Sequence, residues 1–268
     1  MVATDKLFAG SIPEIYDRYL VPLIFEPYAR DLADRVAARG PTRVLETAAG
    51  TGVLTRAMAA RLPDAHIVAT DLNQPMLDHA ARRQTAGSVE WRPADALALP
   101  FEDQSFDVVT CQFGVMFFPD KVKGFSEARR VLKPRGRFLF NVWDRISDND
   151  FSDVVTKAVA GLFPDNPPLF LARTPHGHHD VEQIRADLQA AGFTDISIET
   201  VERISKASSP LDPAIGFCQG TPLRNEIEAR DAARLQEATN RAAEAVATRF
   251  GNGPIEGRIQ AIVVDAAG

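Results

Sequence analysis

Only two cysteines, Cys111 and Cys218, occur in 268 residues. They have no paired spacing, so no disulfide framework is expected and a reducing, cytoplasmic setting is implied. A basic excess is also missing. Thirty Lys and Arg stand against 36 Asp and Glu, a formal charge of −6. A phosphate-backbone partner favours the opposite balance, so no nucleic-acid partner is expected. No apolar run reaches the roughly 18 residues that mark a membrane span. The start, MVATDKLFAGSIPE, has neither a basic n-region nor an apolar h-region, so no signal peptide is expected. There is no internal repeat and no low-complexity tract. Tyrosine is scarce, and all three copies, Tyr16, Tyr19 and Tyr28, fall within residues 11–30.

What remains is ordinary globular composition, 45% hydrophobic and 25% charged, enough for one substantial core. Residues 13–39 read as helical up to Gly40, with Pro22 expected to interrupt the helix. From Arg43 short apolar runs alternate with amphipathic stretches. RVLET, HIVATD, VEWRP, FDVVTCQFG and GRFLFNVWD are expected strands. VLTRAMAARL, NQPMLDHAARRQ (N-cap Asn73) and KVKGFSEARRVL (stopped by Pro134 and Gly136) are expected helices. That alternation implies an α/β fold with a parallel sheet covered on both faces. After Asp144 the rhythm changes. Asp180 and Gln183 have capping-box spacing, DISIETVERI reads as a strand, residues 222–249 as one long helix, and RIQAIVVDA as a last strand. We expect a single domain: residues 1–39 an N-terminal helical segment, 40–144 the sheet core, 145–268 an elaboration that completes the sheet.

VLETAAGTGVL, residues 44–54, is an apolar strand ending in Glu46, a run of small residues and a helix start. Tight turns of this kind let a ligand approach the backbone. In open parallel sheets ligands sit beyond the carboxyl ends of the strands. Three acids fall there: Glu46, Asp71 and Asp95. An acid at the second strand end accepts hydrogen bonds from ribose hydroxyls, and one further along accepts from an adenine amine. A dinucleotide site wants G-x-G-x-x-G. Gly50 and Gly52 fill the first two places but Thr55 holds the third, so an NAD(P)-dependent oxidoreductase is the weaker alternative.

These motifs resemble those of class I S-adenosylmethionine (SAM) dependent methyltransferases. VLETAAGTG is similar to their V-L-D-x-G-x-G-x-G segment, VATDLNQPML to their second motif, ADALALPFEDQSFDVVTCQFGVMFF to the third and fourth, and EARRVLKPRGRFLF to the segment entering strand five. The closest likeness is to the small-molecule branch with the ubiquinone/menaquinone C-methyltransferases. Glu46 stands where Asp is commoner, and Ala48 replaces the first glycine. The resemblance implies a doubly wound, Rossmann-like seven-stranded sheet with its last strand antiparallel, and methyl transfer from SAM to a small-molecule acceptor. It implies that Glu46 to Gly52 face the amino-acid part of SAM, with Ala48 and Gly50 against it. Asp71 takes the ribose, Leu72 and Met76 pack on adenine and ribose, Asp95 and Ala96 read the adenine edge, and Gln112 faces the methionine end. A non-catalytic SAM-binding module is the alternative from another class.

Methyl transfer from a sulfonium needs alignment and exclusion of water more than a fixed base. Candidate polar residues for the acceptor side are Tyr16, Tyr19, Asp144, His176, His178 and His179. No metal site is expected from the histidines, which lack a matching ligand set. The D/N-P-P-Y/F signature of amino-methylating nucleic-acid enzymes is absent. Phe8, Phe25, Phe117, Phe118, Phe163, Phe170 and Phe217 lie in or beside the irregular parts and suit a planar or lipophilic acceptor. Residues 11–30 are expected to form a lid, mobile without cofactor.

Overall fold

The apolar runs pair into a sheet whose order places the first strand near the middle. In the computed structural model, which describes residues 10–84 and 87–268, β1 (Arg43–Glu46), β2 (His66–Asp71), β3 (Ser88–Pro93), β4 (Phe106–Gln112), β5 (Leu132–Trp143), β6 (Asp195–Ala207) and β7 (Ile255–Ala267) run in the order β3-β2-β1-β4-β5-β7-β6. The first five are mutually parallel. The last strand is antiparallel, making the sheet mixed as expected. Phe8, one of the aromatics singled out above, lies outside the described residues.

The chain forms two compact units. The sheet unit comprises Glu26–Val142, His178–Val201 and Ala261–Gly268. Its helices are α2 (Glu26–Ala37), α3 (Val53–Arg61), α4 (Gln74–Arg83), α5 (Lys121–Val131) and α8 (Val181–Ala190), preceded in the chain by α1 (Ile12–Ile15) and followed between α5 and α8 by α6 (Asp150–Ala160) and α7 (Phe170–Arg173). On one sheet face Leu32, Val36, Leu54 and Met58 from α2 and α3 pack on Val44, Ile67, Val108 and Leu139. On the other, Phe125 of α5 meets Phe138 edge-on and stacks with Phe140, and Phe138 stacks with Phe193. Burying each such side chain is worth about 1.5–3 kcal/mol, so this two-faced core is what fixes the strand ends.

The helical unit holds the described residues up to Phe25, Trp143–Gly177 and Glu202–Gln260. There α11 (Leu235–Phe250) packs against α6 and α9 (Leu211–Gln219), around buried Phe151, Val155, Phe217 and Val246. Asn149 ties its backbone together: its Nδ2 donates to the carbonyls of Arg145 and Gln260, and its Oδ1 accepts from Gln260 N–H.

Several local expectations need correction. The chain does not break at Pro22. A wide π-helical stretch, Tyr16–Phe25, carries it through, since the wider turn absorbs the missing N–H. Helix α5 ends at Val131, before Pro134. Pro134 and Gly136 lie inside β5, where the register jumps from Phe106↔Leu132 to Val108↔Arg137. A bulge needs no ladder N–H from proline. The single helix expected over 222–249 is α10 (Leu223–Asp231), a tight turn Ala232–Arg234, then α11. The Asp231 carboxylate accepts from Ala233 N–H and so competes with the helix ladder. Asp180 caps α8 by accepting from the N–H groups of Glu182 and Gln183, but Gln183 donates to Asp187 instead of closing a capping box.

Candidate functional site

Strand order reverses between β1 and β4, and a crevice at their carboxyl ends is where ligands lodge in such sheets. Register decides which side chains share it. Glu46 pairs with Ala69 and Thr110, and Gln112 pairs with Asn141. Side chains alternate along a strand, so Glu46, Asp71, Gln112 and Asn141 all leave the sheet on one face, at one end. All four belong to the sheet unit.

The turn between β1 and α3 is held from below and open above. Thr47 N–H donates to the Thr110 carbonyl at 2.9 Å, and Ala49 N–H to the Thr70 carbonyl at 2.9 Å. Three residues take left-handed backbone angles: Ala48 (φ 52°), Gly50 (φ 56°) and Gly52 (φ 77°). A side chain on Gly50 would meet nothing within 4 Å, whereas one on Gly52 would reach 2.7 Å from Trp91. Gly50 thus leaves free space over the turn, and Gly52 lets α3 pack closely. The departure at Ala48 is compensated across the crevice. A Cβ on Gly114, just past β4, would lie 2.4 Å from that of Ala48. The methyl group absent from residue 114 is present on residue 48.

The acids differ in environment. Glu46 is 1% exposed, and its Oε2 accepts from the Thr55 hydroxyl at 2.5 Å. Burial pushes its carboxyl up to about 8, against the pull of that bond and of Arg56. Asp71 is also buried, which raises its pKa. Its Oδ2 accepts from Gly50 N–H at 2.9 Å and its Oδ1 from Asn73 N–H at 2.7 Å. Asn73 occupies the N-cap place of α4, but its amide turns back to Asp71 and caps nothing. Asp95 is exposed and accepts from Leu97 N–H. Leu72 is 56% exposed beside Asp71, whereas Met76 is buried at 4%. Ala96 is half-buried and Gln112 buried.

These residues fit a nucleoside cofactor without a pyrophosphate. Open space over Gly50, the exposed apolar Leu72 and the successive acids suit a sugar and a base. Thr55, at the place of a third dinucleotide glycine, is committed to Glu46.

The remaining candidates are spread over both units. Tyr16, Tyr19, Asp144 and His176 belong to the helical unit. Tyr16 stacks on Phe25 at 4.9 Å, and Arg18 lies over the Tyr19 ring. Asp144 accepts from Arg145 N–H and Gln260 Nε2, and its carbonyl accepts from His176 Nδ1 at 2.7 Å. Those bonds make Asp144 and His176 parts of the unit's own scaffold. His178 and His179 belong to the sheet unit. Burial first, then Lys121 and His179, bring the His178 imidazole down to about 4, so it is neutral at pH 7. No group of three His, Cys, Asp or Glu side chains that could hold a metal occurs among the described residues. Tyr28 is fully buried, its OH donates to the Val201 carbonyl at 2.9 Å and its ring meets Phe113 edge-on. It is a core residue, and the lid expected over 11–30 does not extend to it. Phe170 and Phe217 are buried packing residues of the helical unit.

Sequence reading missed three residues. Thr55 had a signal, being the hydroxyl in the third glycine's place. Phe113 (φ 51°) and Asn141 had none, because their roles depend on β4–β5 register.

A methyltransferase-domain family model matches residues 44–136. A demethylmenaquinone methyltransferase of Deinococcus radiodurans is 38% identical over 51% of this chain and 58% of its own length. A ubiquinone/menaquinone biosynthesis C-methyltransferase UbiE of Stutzerimonas stutzeri is 31% identical over 72% of this chain and 76% of its own. The match thus spans a little over half of the first relative and about three quarters of the second. Among solved structures, phosphoethanolamine N-methyltransferase 2 of Haemonchus contortus superposes with a TM-score of 0.62 at 18% identity, over 99% of this chain and 61% of that one. At that identity the likeness speaks for the fold.

Proposed function

The chain belongs to the class I S-adenosylmethionine-dependent methyltransferases, and on that premise we propose that it methylates a small dihydroxy-aromatic acceptor of the quinol kind. SAM is the methyl donor of this family; when bound it supplies a methyl carbon activated by a sulfonium sulfur. The chain's own residues then have to bind, orient and keep water out. We assign Asp71 to the ribose hydroxyls, which would compete for its oxygens with Gly50 N–H and the Asn73 N–H and amide. Leu72 offers its exposed side chain to the adenine, and Met76 of α4 packs on adenine and ribose. Asp95 and the backbone of Ala96 read the adenine edge. Gly50 and Ala48 admit the amino-acid part, with Glu46 behind them and Gln112 at the methionine end. We assign acceptor-side selectivity to residues 145–268.

The observation that carries the acceptor class is the 31% identity, over 76% of its length, to a C-methyltransferase of quinone biosynthesis. A net charge of −6 supports a small molecule over a nucleic acid. Cys111 and Cys218 are free and buried, their thiols pushed up to about 12 by burial, which supports a cytoplasmic setting. Among the described residues no helix is long and apolar enough to cross a membrane. The test is incubation with methyl-deuterated SAM and either dithionite-reduced 1,4-naphthoquinone or phosphoethanolamine, read by mass spectrometry. Label on a ring carbon of the naphthoquinol supports the proposal, and label only on the amine contradicts it.

A further inference from the structure

Asn141, the register partner of Gln112, is 1% exposed at the carboxyl end of β5. Its orientation is fixed. Phe113 N–H donates to Asn141 Oδ1 at 3.0 Å and to the Asn141 carbonyl at 3.1 Å. Swapping the amide would set a donor against that N–H, so the oxygen belongs where it stands. The Nδ2 group is therefore committed to the other side, where it has no hydrogen-bond partner among the described residues. A buried, unpaired donor costs stability and calls for an explanation. The residue holding it adds a second cost. Phe113 has φ 51°, a left-handed angle that is an outlier for a bulky side chain. Strain and an unpaired amide thus coincide at the ends of β4 and β5, where open sheets bind ligands.

Position and chemistry say which ligand. The adenosine-reading acids lie at the ends of β2 and β3, on the far side of β1. Asn141 lies one strand beyond β4 in the opposite direction, past the methionine end. An amide NH2 only donates, so it suits a carbonyl, hydroxyl or phenolate oxygen and not an ammonium group. We propose that the Asn141 side-chain amide is a hydrogen-bond donor to an oxygen atom of the methyl acceptor. This inference rests on the quinol reading above.

Asn141→Asp keeps an oxygen for Phe113 N–H and removes the donor, and Asn141→Ala avoids burying a charge. Calorimetry with S-adenosylhomocysteine is the first measurement, with Kd expected within threefold of wild type for both variants. The second is inhibition of the wild type and of Asn141→Ala by naphthalene-1,4-diol and by naphthalene. Wild type should prefer the diol at least tenfold more strongly than the variant does, and kcat/KM for reduced 1,4-naphthoquinone should fall at least tenfold. Equal preference in both proteins with unchanged Kd overturns the inference and assigns the amide to an enclosed water. A tenfold loss of S-adenosylhomocysteine affinity overturns it in favour of a cofactor contact. Wild-type protein that binds no S-adenosylhomocysteine overturns the function itself, and the inference with it.

Discussion

Replacing Glu46 by Gln should remove a pH dependence from the folded protein. The wild-type carboxyl is buried and keeps its proton up to about 8, against an ordinary value of 4.5. In the unfolded chain it loses that proton near 4.5. Between those values the folded state holds one more proton, so stability falls as pH rises, by about 1.4 kcal/mol per unit. The contribution is fully present below about 4.5 and lost as pH climbs through 8. The cumulative loss is about 3 kcal/mol at pH 7 and about 5 kcal/mol above pH 8, large against a typical total of about 5–15 kcal/mol. The glutamine side chain of the Glu46→Gln variant would still accept from the Thr55 hydroxyl but cannot ionise. Asp71, also raised by burial and electrostatically coupled to Glu46, titrates in both proteins, so the difference reads Glu46 together with that coupling. Urea unfolding of the two proteins at pH 5, 6, 7 and 8 is the assay. The curves should meet near pH 5, and the variant should be the more stable by a widening margin above it. Parallel profiles would refute the reasoning, because Glu46 would then be ionised or compensated in the folded state.

Asp71→Ala should weaken S-adenosylhomocysteine binding by roughly 1.5–3 kcal/mol and also cost about 1–3 kcal/mol of stability, since Gly50 and Asn73 lose their acceptor; calorimetry and thermal melting measure the two separately. Gly114→Ala should destabilise by more than about 2 kcal/mol through overpacking, and adding Ala48→Gly should recover part of it, because the two methyl groups compete for one space; urea midpoints of the single and double variants check this. Hydrogen exchange in residues 26–37 should be equally slow with and without S-adenosylhomocysteine, since Tyr28 is tied to Val201 and Leu32 and Val36 lie in the core. Faster exchange there in the free protein would restore this part to a lid.

The strand–turn–helix unit was legible because its signals are local: an apolar run, small residues, then a second period. Asp71 and Asp95 were legible as strand-end acids for the same reason. What Asp71 does inside the protein was not, because its bond to Gly50 joins residues 21 apart. Phe113 and Asn141, 28 apart, meet only through the pairing of β4 with β5. Tyr28 read as a lid residue because an amphipathic helix before the first strand looks alike whether it covers a site or packs on the sheet. Its partner Val201 lies 173 residues away. Ala48 was legible as a variant of the first glycine, but the place of its methyl group, in the space left by Gly114, was not. The break at Asp231 escaped because one side-chain bond decided it over an otherwise helical stretch.

The open turn over Gly50 suits a SAM-type cofactor and not a nicotinamide dinucleotide. Calorimetric titration of the purified protein with S-adenosylhomocysteine and, separately, with NADH tests it most directly. Saturable one-to-one binding of S-adenosylhomocysteine, weakened in Asp71→Ala, and no heat from NADH are the expected results. Tight NADH binding with no response to S-adenosylhomocysteine would contradict it.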